Sequence, residues 1–299
     1  MEVLTVRGLQ KSFGDKSVLK GLDMSVPVGS VFGFVGQNGV GKTTTMKAIL
    51  GLLKPDHGEI FVSGEPVCFG QTPTNRNVGY LPDVPSFYPF MTAEEYLGLC
   101  GACMGMQRVE IEGRSRELLK LVGLDGERHR IKGYSRGMKQ RLGIASALLG
   151  QPKLLICDEP TSALDPIGRR EILDILTSVK EQTTVLFSTH ILSDVERICT
   201  DVALLNDGVI AMQGTVDELK ARHSTEGFVI EVPDREDALR IRETFASAVM
   251  TNGNTLHFFG GEEQQQALFF FLAEHRIPIS SLVRTEPSLE ALFVEVVAK

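Results

Sequence analysis

The chain has 299 residues, of which 42% are hydrophobic and 23% charged, and its formal net charge is −7. The composition is that of a folded globular protein, and the length favours a large domain with a smaller one. Net acidity argues against a nucleic-acid partner, because neutralising phosphates requires clustered Lys and Arg.

The sequence shows no signal for secretion or for spanning a membrane. Its start, Met1–Arg7, lacks the positive charge and the apolar stretch of a secretory signal. No later segment has the roughly 18 uninterrupted apolar residues that a spanning helix requires. The five cysteines are scattered and odd in number, which fits a reducing compartment. We therefore expect a cytoplasmic protein that does not cross a bilayer by itself.

Strands and helices alternate along the first two thirds of the chain. The predicted strands are at 2–7, 23–28, 30–35, 153–157 and 184–188, and the predicted helices are at 42–52, 92–104, 110–123, 137–149 and 167–180. The strand at 153–157 is continuously apolar, as in a parallel sheet that is buried on both faces. This alternation predicts an α/β domain with a parallel or mixed sheet covered by helices.

The pattern changes after about residue 220. Here the predicted strands are at 228–232, 255–259 and 277–283, and the predicted helices are at 235–247, 262–274 and from Ser288 onward. This order predicts a small α+β domain, which would be ferredoxin-like if residues 248–251 add a strand. We place the domains at 1–220 and 221–299.

Cys100 and Cys103 form a C-x-x-C pair on a predicted helix. Such a pair can be redox-active or half of a zinc site, but no second pair of ligands stands at suitable spacing nearby. We expect both cysteines to be small buried residues of the helix.

A phosphate-binding loop follows the strand at 30–35. The loop matches G-x-x-x-x-G-K-[ST] and precedes a helix, as the motif requires. Its glycines let backbone N–H groups point at the β-phosphate, Lys42 reaches the β and γ oxygens, Thr43 binds Mg²⁺, and Thr44 helps to hold the α-phosphate. The ATP-binding residues of the loop are Gly36, Gln37, Asn38, Gly39, Val40, Gly41, Lys42, Thr43 and Thr44.

Two acids and a histidine end the next buried strands. Asp158 and Glu159 follow the apolar strand at 153–157, and His190 follows the strand at 184–188. The carboxyl edge of an open α/β sheet is where ligands bind. Asp158 is the candidate for a water-mediated Mg²⁺ ligand, and Glu159 is the candidate base that deprotonates the attacking water. His190 would hydrogen-bond the γ-phosphate and the water.

Three further segments resemble motifs of the ABC ATPases. Residues 134–142, Tyr-Ser-Arg-Gly-Met-Lys-Gln-Arg-Leu, resemble the signature sequence of the family, which is usually Leu-Ser-Gly-Gly-Gln. Residues 158–165 resemble the joined Walker B motif and D-loop, and residues 187–190 resemble the H-loop. With the phosphate loop, four motifs stand in the family's order. The resemblance implies a P-loop ATPase domain with a mixed sheet core and a helical signature subdomain at about 84–150.

The resemblance also implies roles for individual residues. Phe13 falls where the family stacks an aromatic ring on adenine, a contact that does not select the base by hydrogen bonding. Asp83 stands at the Q-loop, where many members carry Gln and contact the metal and water. Ser135, Arg136 and Gly137 would reach the γ-phosphate bound by a second copy, although Arg136 replaces the usual Gly.

Partners follow from the resemblance too. Family members bind two ATP molecules between two ATPase domains, and this chain carries one set of motifs. It therefore needs a second copy or a similar partner, and the expected arrangement is a homodimer. Residues 79–83, 88–92 and 288–293 look like those of the ATPase subunits of bacterial exporters for drugs, antimicrobial peptides, lipids or ions. The resemblance therefore implies a separate transmembrane permease, which residues 84–110 would contact, and a location at the inner face of the cell membrane.

Two other functions use similar motifs. A soluble ABC protein acting on ribosomes or DNA is the alternative, but ribosomal members generally join two ATPase halves and chromosome members carry long coiled coils. A P-loop GTPase or small-molecule kinase is disfavoured, because the guanine motif Asn-Lys-x-Asp is missing from the sequence.

Overall fold

The computed structural model of the chain describes residues 1–70, 73–222, 227–245, 247–259, 262–285, 289–290 and 292–293. The chain divides into two compact units, Met1–Val216 and Asp217–Glu295, and each is described by itself. The boundaries given above for the ATPase domain (1–220), its helical subdomain (84–150) and the C-terminal domain (221–299) stay a prediction.

A long antiparallel hairpin opens the first unit. It consists of β1 (Glu2–Phe13) and β2 (Lys16–Pro27), and β1 also pairs with β4 (His57–Val62). β5 (Glu65–Pro66) completes a sheet of order β2-β1-β4-β5 over the described residues. Both hairpin strands are longer than predicted, since register shifts and glycines at positive φ, such as Gly8 and Gly21, interrupt the alternation of buried and exposed residues.

The second sheet of this unit carries the predicted parallel core. Its strands are β3 (Val31–Val35), β6 (Val78–Leu81), β7 (Leu154–Asp158), β8 (Thr184–Thr189), β9 (Asp201–Asn206) and β10 (Val209–Thr215). Their order over the described residues is β10-β9-β3-β8-β7-β6, with β10 antiparallel to β9 and the other pairs parallel. The predicted α/β class with a mixed sheet is therefore confirmed.

Helices surround this sheet. They are α1 (Lys42–Ile49), α2 (Ala93–Cys103), α3 (Arg108–Leu121), α4 (Arg136–Leu148), α5 (Pro166–Ser178) and α6 (Leu192–Ile198), and α7 (Val216–Arg222) follows β10 along the chain. Thr92 caps α2 through a capping box with Glu95. β6 was not predicted, because it is short and contains Gly79, which is uncommon in strands. The glycine is required by close packing, since a Cβ atom at this position would lie 2.2 Å from the Ala147 carbonyl oxygen.

One apolar core joins the two sheets of the first unit. Leu4, Leu9 and Leu22 of the hairpin pack in the same buried cluster as Phe32 and Phe34 of β3. Burial on this scale is the main stabilising term of the domain, at about 25 cal/mol per Å² of apolar surface. In the second sheet β8 lies between β3 and β7, so the carboxyl ends of these three parallel strands lie side by side at one edge.

The second unit is a small α+β domain. Its elements are β11 (Gly227–Glu231), α8 (Arg235–Thr244), β12 (Ala248–Asn252), β13 (Thr255–Phe259), α9 (Glu262–Glu274) and β14 (Ser281–Thr285). The sheet has the order β12-β13-β11-β14 over the described residues, with antiparallel pairs throughout. Residues 248–252 do add a strand, so the predicted ferredoxin-like order is confirmed.

One prediction for the second unit is displaced, and another begins at a residue that the structure does not describe. The last strand begins at Ser281 and not at Ile277, because Ile277 N–H still donates to the Leu272 carbonyl oxygen at the end of α9. Residue Ser288, where a final helix was predicted to begin, lies outside the described residues, as does Ala291 of the same segment.

Candidate active site

The phosphate-binding loop runs from Gly36 to Thr43, between β3 and α1. Gly39 and Gly41 have φ values of +82° and +120°, which side-chain-bearing residues rarely adopt. A Cβ atom at Gly41 would also lie 2.8 Å from a methyl group of Leu19. The glycines therefore let the main chain curl before α1, an arrangement in which successive N–H groups bind an anion.

Lys42 is drawn into this loop. Its side chain is only 6% exposed, and Nζ donates to the carbonyl oxygens of Gly36 at 2.7 Å and Gln37 at 3.2 Å. Nζ also lies 3.1 Å from Glu159 Oε1. The ammonium group therefore lies beside the loop, where two carbonyl oxygens and the Glu159 carboxylate partly compensate its positive charge.

A chain of hydrogen bonds links three elements at the carboxyl edge of the sheet. Thr43 Oγ1 donates to Asp158 Oδ2 at 2.8 Å, and Ser188 Oγ donates to Asp158 Oδ1 at 2.7 Å. Asp158 and Ser188 are both buried. The carboxylate orientation is therefore fixed from both sides, and it faces the threonine hydroxyl at the start of α1.

Glu159 is held in an unusual conformation. Its φ is +48°, and its backbone N–H donates to Ser188 Oγ at 3.0 Å. A non-glycine residue in this region carries strain that its surroundings must offset, and such residues cluster at functional sites. The two carboxylates have separate partners: Thr43 and Ser188 contact that of Asp158, and Lys42 and His190 contact that of Glu159.

The two oxygens of Glu159 have different environments. Oε2 accepts a hydrogen bond from His190 Nδ1 at 2.9 Å, with the imidazole as donor because an ionised carboxylate only accepts. Oε1 is buried and receives no hydrogen bond from any residue that the structure describes. It faces Lys42 Nζ as an ion pair without hydrogen-bond geometry. One oxygen is thus oriented by His190, and the other has lone pairs free to accept a proton.

The signature segment forms the start of α4. Ser135 is the N-cap, and its Oγ accepts a hydrogen bond from Met138 N–H at 3.2 Å. Gly137 has open space where a side chain would stand, with Ser135 Oγ as its nearest neighbour at 3.9 Å. Arg136 and Ser135 are exposed. A capped helix start with little side-chain cover is suited to binding an anion.

Two predicted site residues lie on other segments: Asp83 follows β6, and Phe13 is at the end of β1. Asp83 Oδ1 accepts a hydrogen bond from Ser162 Oγ at 2.7 Å. Burial raises the pKa of nearby Tyr80 to about 12, and the Asp158 and Asp83 carboxylates add to this effect. Phe13 is the last residue of β1 and is 51% exposed, and Lys11 Nζ lies 5.5 Å from the centroid of its ring.

Sequence reasoning missed the role of Ser188. It was recognised only as part of the H-loop resemblance, yet it bonds both Asp158 and Glu159. The register of neighbouring parallel strands explains the contact, since Asp158 stands opposite Ser188 in the β7–β8 pair. Knowledge of the strand order would have predicted it, and the order is a tertiary property.

The cysteine pair differs from its prediction. Cys100 and Cys103 lie on α2 and are free, but Cys100 is only half-buried and Cys103 is exposed, so the expectation of two buried residues is wrong. Among the described residues, no three or more His, Cys, Asp and Glu side chains form a cluster that could hold a metal ion.

None of the helices in the described part of the chain is both long enough and apolar enough to span a membrane.

The chain is similar to known proteins over nearly its whole length. Residues 19–162 match the family described as ABC transporter, and residues 214–297 match the C-terminal domain of DrrA1-3-like ATP-binding proteins. The bacitracin transport ATP-binding protein BcrA of Bacillus licheniformis is 33% identical, over 99% of this chain and 97% of its own. The linearmycin resistance ATP-binding protein LnrL of Bacillus subtilis is 31% identical, over 99% of both.

A solved structure is similar as well. It is described as the structure of an ATP-binding subunit of an ABC transporter, with a TM-score of 0.65 and 33% identity. The match covers 74% of this chain and 92% of that one.

Proposed function

The chain belongs to the ATP-binding proteins of ABC transporters, and from this membership we propose how its residues act and with which partners. As a member it binds and hydrolyses ATP to drive transport, and the alternative of a soluble ABC protein acting on ribosomes or DNA is not favoured. The proposal concerns the roles of the site residues, Mg²⁺, the homodimer and the membrane partner.

One observation carries the assignment of roles. The ammonium of Lys42, the carboxylates of Asp158 and Glu159 and the imidazole of His190 meet at one edge of the sheet, within hydrogen-bond or ion-pair distance of one another or of a shared neighbour. Phosphoryl transfer is catalysed mainly by positioning and by charge stabilisation, for which such a cluster is suited.

The donor set fits a magnesium ion. The Thr43 hydroxyl and the Asp158 carboxylate lie 2.8 Å apart as hard oxygen donors, and few protein ligands are typical of Mg²⁺, which keeps several waters. Thr43 and Asp158 would hold it, and Asp83 is a further candidate. When bound, the ion would neutralise charge on the β- and γ-phosphates.

The protein groups divide the remaining work. When ATP binds, the Lys42 ammonium leaves its contacts with the Gly36 and Gln37 carbonyl oxygens and with Glu159. It then binds the β- and γ-phosphate oxygens instead. Glu159 accepts a proton from water as that water attacks the γ-phosphorus and the bond to the β–γ bridging oxygen breaks, leaving ADP and phosphate. His190 orients Glu159 through the bond to Oε2 and contacts the γ-phosphate. Phe13 stacks on adenine.

A second copy completes each site. Ser135, Arg136 and Gly137 stand at the exposed start of α4, where they are available to a nucleotide bound by another molecule. ATP would therefore bridge two copies, and hydrolysis would separate them, as a two-state cycle. Because one chain carries one set of motifs, a second ATPase subunit is required, and we propose that it is a second copy of this chain.

The membrane partner is a separate permease of an exporter. Relatives named for bacitracin transport and linearmycin resistance support a transporter that exports its cargo. The permease would bind within 84–110, and the chain would lie at the inner face of the cell membrane through it. This segment exposes the large apolar side chains of Val84, Tyr88, Phe90, Leu99, Met104 and Val109.

Glu159→Gln tests the proposal. The amide keeps the size of the side chain but cannot accept the proton, so we expect turnover to fall by about 10² to 10⁴ while MgATP still binds. Size-exclusion chromatography with MgATP should show a dimer that the unsubstituted chain forms only transiently. Unchanged turnover would remove Glu159 from the role of base, and a monomer in saturating MgATP would refute the dimer.

The partner is tested by purifying the tagged chain from detergent-solubilised membranes. We expect a hydrophobic permease to co-elute, and recovery of ribosomes or DNA instead would contradict the transport assignment. Lys42→Ala serves as the control, because it should retain the permease while losing hydrolysis.

A further inference from the structure

Two of the motif positions at which this chain departs from the usual family residues contact each other. Asp83, at the usual Gln of the Q-loop, and Arg136, at the usual Gly of the signature segment, lie 3.6 Å apart between Oδ1 and Nη2. They stand on separate segments, one after β6 and the other at the start of α4.

Ser162 of the D-loop joins this pair. Its Oγ donates to Asp83 Oδ1 at 2.7 Å and accepts a hydrogen bond from Arg136 Nη2 at 3.4 Å. The three side chains thus form a closed triangle between the Q-loop, the signature segment and the D-loop. Each of these segments belongs to a motif of the nucleotide site.

The main chain of Asp83 is fixed from the same helix. Gln140 of α4 is fully buried, and its Nε2 donates to the Asp83 carbonyl oxygen at 2.9 Å. Arg136 and Gln140 lie one turn apart on α4, so they face the same side. The helix therefore holds both the backbone and the carboxylate of Asp83.

The charges of the two departures cancel. Gln and Gly are neutral, whereas this chain has a carboxylate and a guanidinium at the same positions. Asp83 alone would repel the phosphates of a bound nucleotide, and Arg136 alone would attract them. As a pair they restore the neutrality of the usual residues.

Stability is a poor explanation for the pair. Arg136 is 46% and Asp83 48% exposed in their side chains, and ion pairs this exposed contribute little to folding. Their effect is on where the carboxylate points, since a hydroxyl and a guanidinium bind the same oxygen of Asp83.

We propose that Arg136 and Ser162 are positioning residues for the Asp83 carboxylate, so that the two departures act as one unit in ATP hydrolysis. This inference rests on the proposed function, because Asp83 affects turnover only if the site hydrolyses MgATP. It predicts that replacing either charge harms the reaction and that replacing both restores it.

A double-mutant cycle tests this prediction. The variants are Asp83→Gln, Arg136→Gly and the two combined, with kcat and KM for MgATP measured for each. We expect each single change to lower kcat by about 5-fold, and the double variant to return to within about 2-fold of the unsubstituted chain, a coupling usual for contacting residues. Single effects that multiply in the double variant would overturn the inference.

Two controls separate positioning from folding. Arg136→Lys keeps the charge and should retain more activity than Arg136→Gly, while thermal unfolding of all variants should stay close to that of the parent. The matched cycle Glu65→Gln with Arg76→Gly breaks another exposed pair, 3.1 Å apart, and should leave kcat unchanged. A parent chain without ATPase activity would refute the proposed function and this inference together, whereas an active parent with multiplicative effects would refute this inference alone.

Discussion

Two serines of this protein make the same bond in different surroundings. Ser188 Oγ donates to Asp158 Oδ1, and Ser162 Oγ donates to Asp83 Oδ1, both at 2.7 Å. Asp158 is only 2% exposed, whereas the side chain of Asp83 is 48% exposed. The first bond lies beside the phosphate-binding loop, and the second lies near the exposed signature segment.

The comparison shows that the length of a hydrogen bond does not by itself indicate how much the bond contributes to stability or catalysis. When a buried carboxylate loses a hydrogen-bond partner, water cannot replace that partner, and the free-energy cost of desolvation remains. When an exposed carboxylate loses a partner, water takes its place. We therefore expect the buried bond to affect stability and catalysis, and the exposed one to affect mainly the aim of Asp83. Three substitutions examine this contrast.

Lys42→Ala has the largest expected effect. It removes the buried ammonium that is proposed to bind the β- and γ-phosphates, and it leaves Glu159 Oε1 without its cation. We expect hydrolysis to fall by about 10³-fold or more, as when a group that stabilises a transition-state charge is lost. Phosphate release under saturating MgATP measures this change. Activity near that of the parent would exclude Lys42 from the reaction.

Ser188→Ala comes next. It removes the hydroxyl that bonds both the Asp158 carboxylate and the backbone N–H of Glu159. We expect a loss of about 2 kcal/mol in the free energy of unfolding, since the lost bond is buried and involves a charge. Turnover should fall by about 10-fold through misplacement of both acids. Urea unfolding and ATPase assays measure the two effects, and Ser188→Thr is the control that keeps a hydroxyl.

Ser162→Ala is the matched change at the exposed bond and has the smallest expected effect. We expect a change of about 0.5 kcal/mol in the free energy of unfolding, because water can replace the hydroxyl. Turnover should fall by only about 2- to 3-fold, since Arg136 still holds Asp83. If Ser162→Ala were as damaging as Ser188→Ala in the same assays, the contrast between buried and exposed bonds would be wrong.

The local sequence determined the phosphate-binding loop, the buried strand before the two acids and the class of the small domain. Glycines and a lysine between an apolar strand and a helix predicted the phosphate-binding loop, and the apolar run before Asp158 and Glu159 predicted a buried parallel strand. Both patterns are readable because each depends on residues that are close in the chain. The strand pattern after residue 220 likewise predicted the small α+β domain and its order.

Other features were decided by the tertiary structure. Ser188 reaches Asp158 because β7 and β8 are neighbours in register, and Arg136 and Ser162 reach Asp83 because three distant segments meet. The short strand β6 depends on the close approach of Ala147 to Gly79. The physical reason is common to all of them: strand order and helix packing bring together residues that are far apart in the chain, and no local periodicity records which of them will touch.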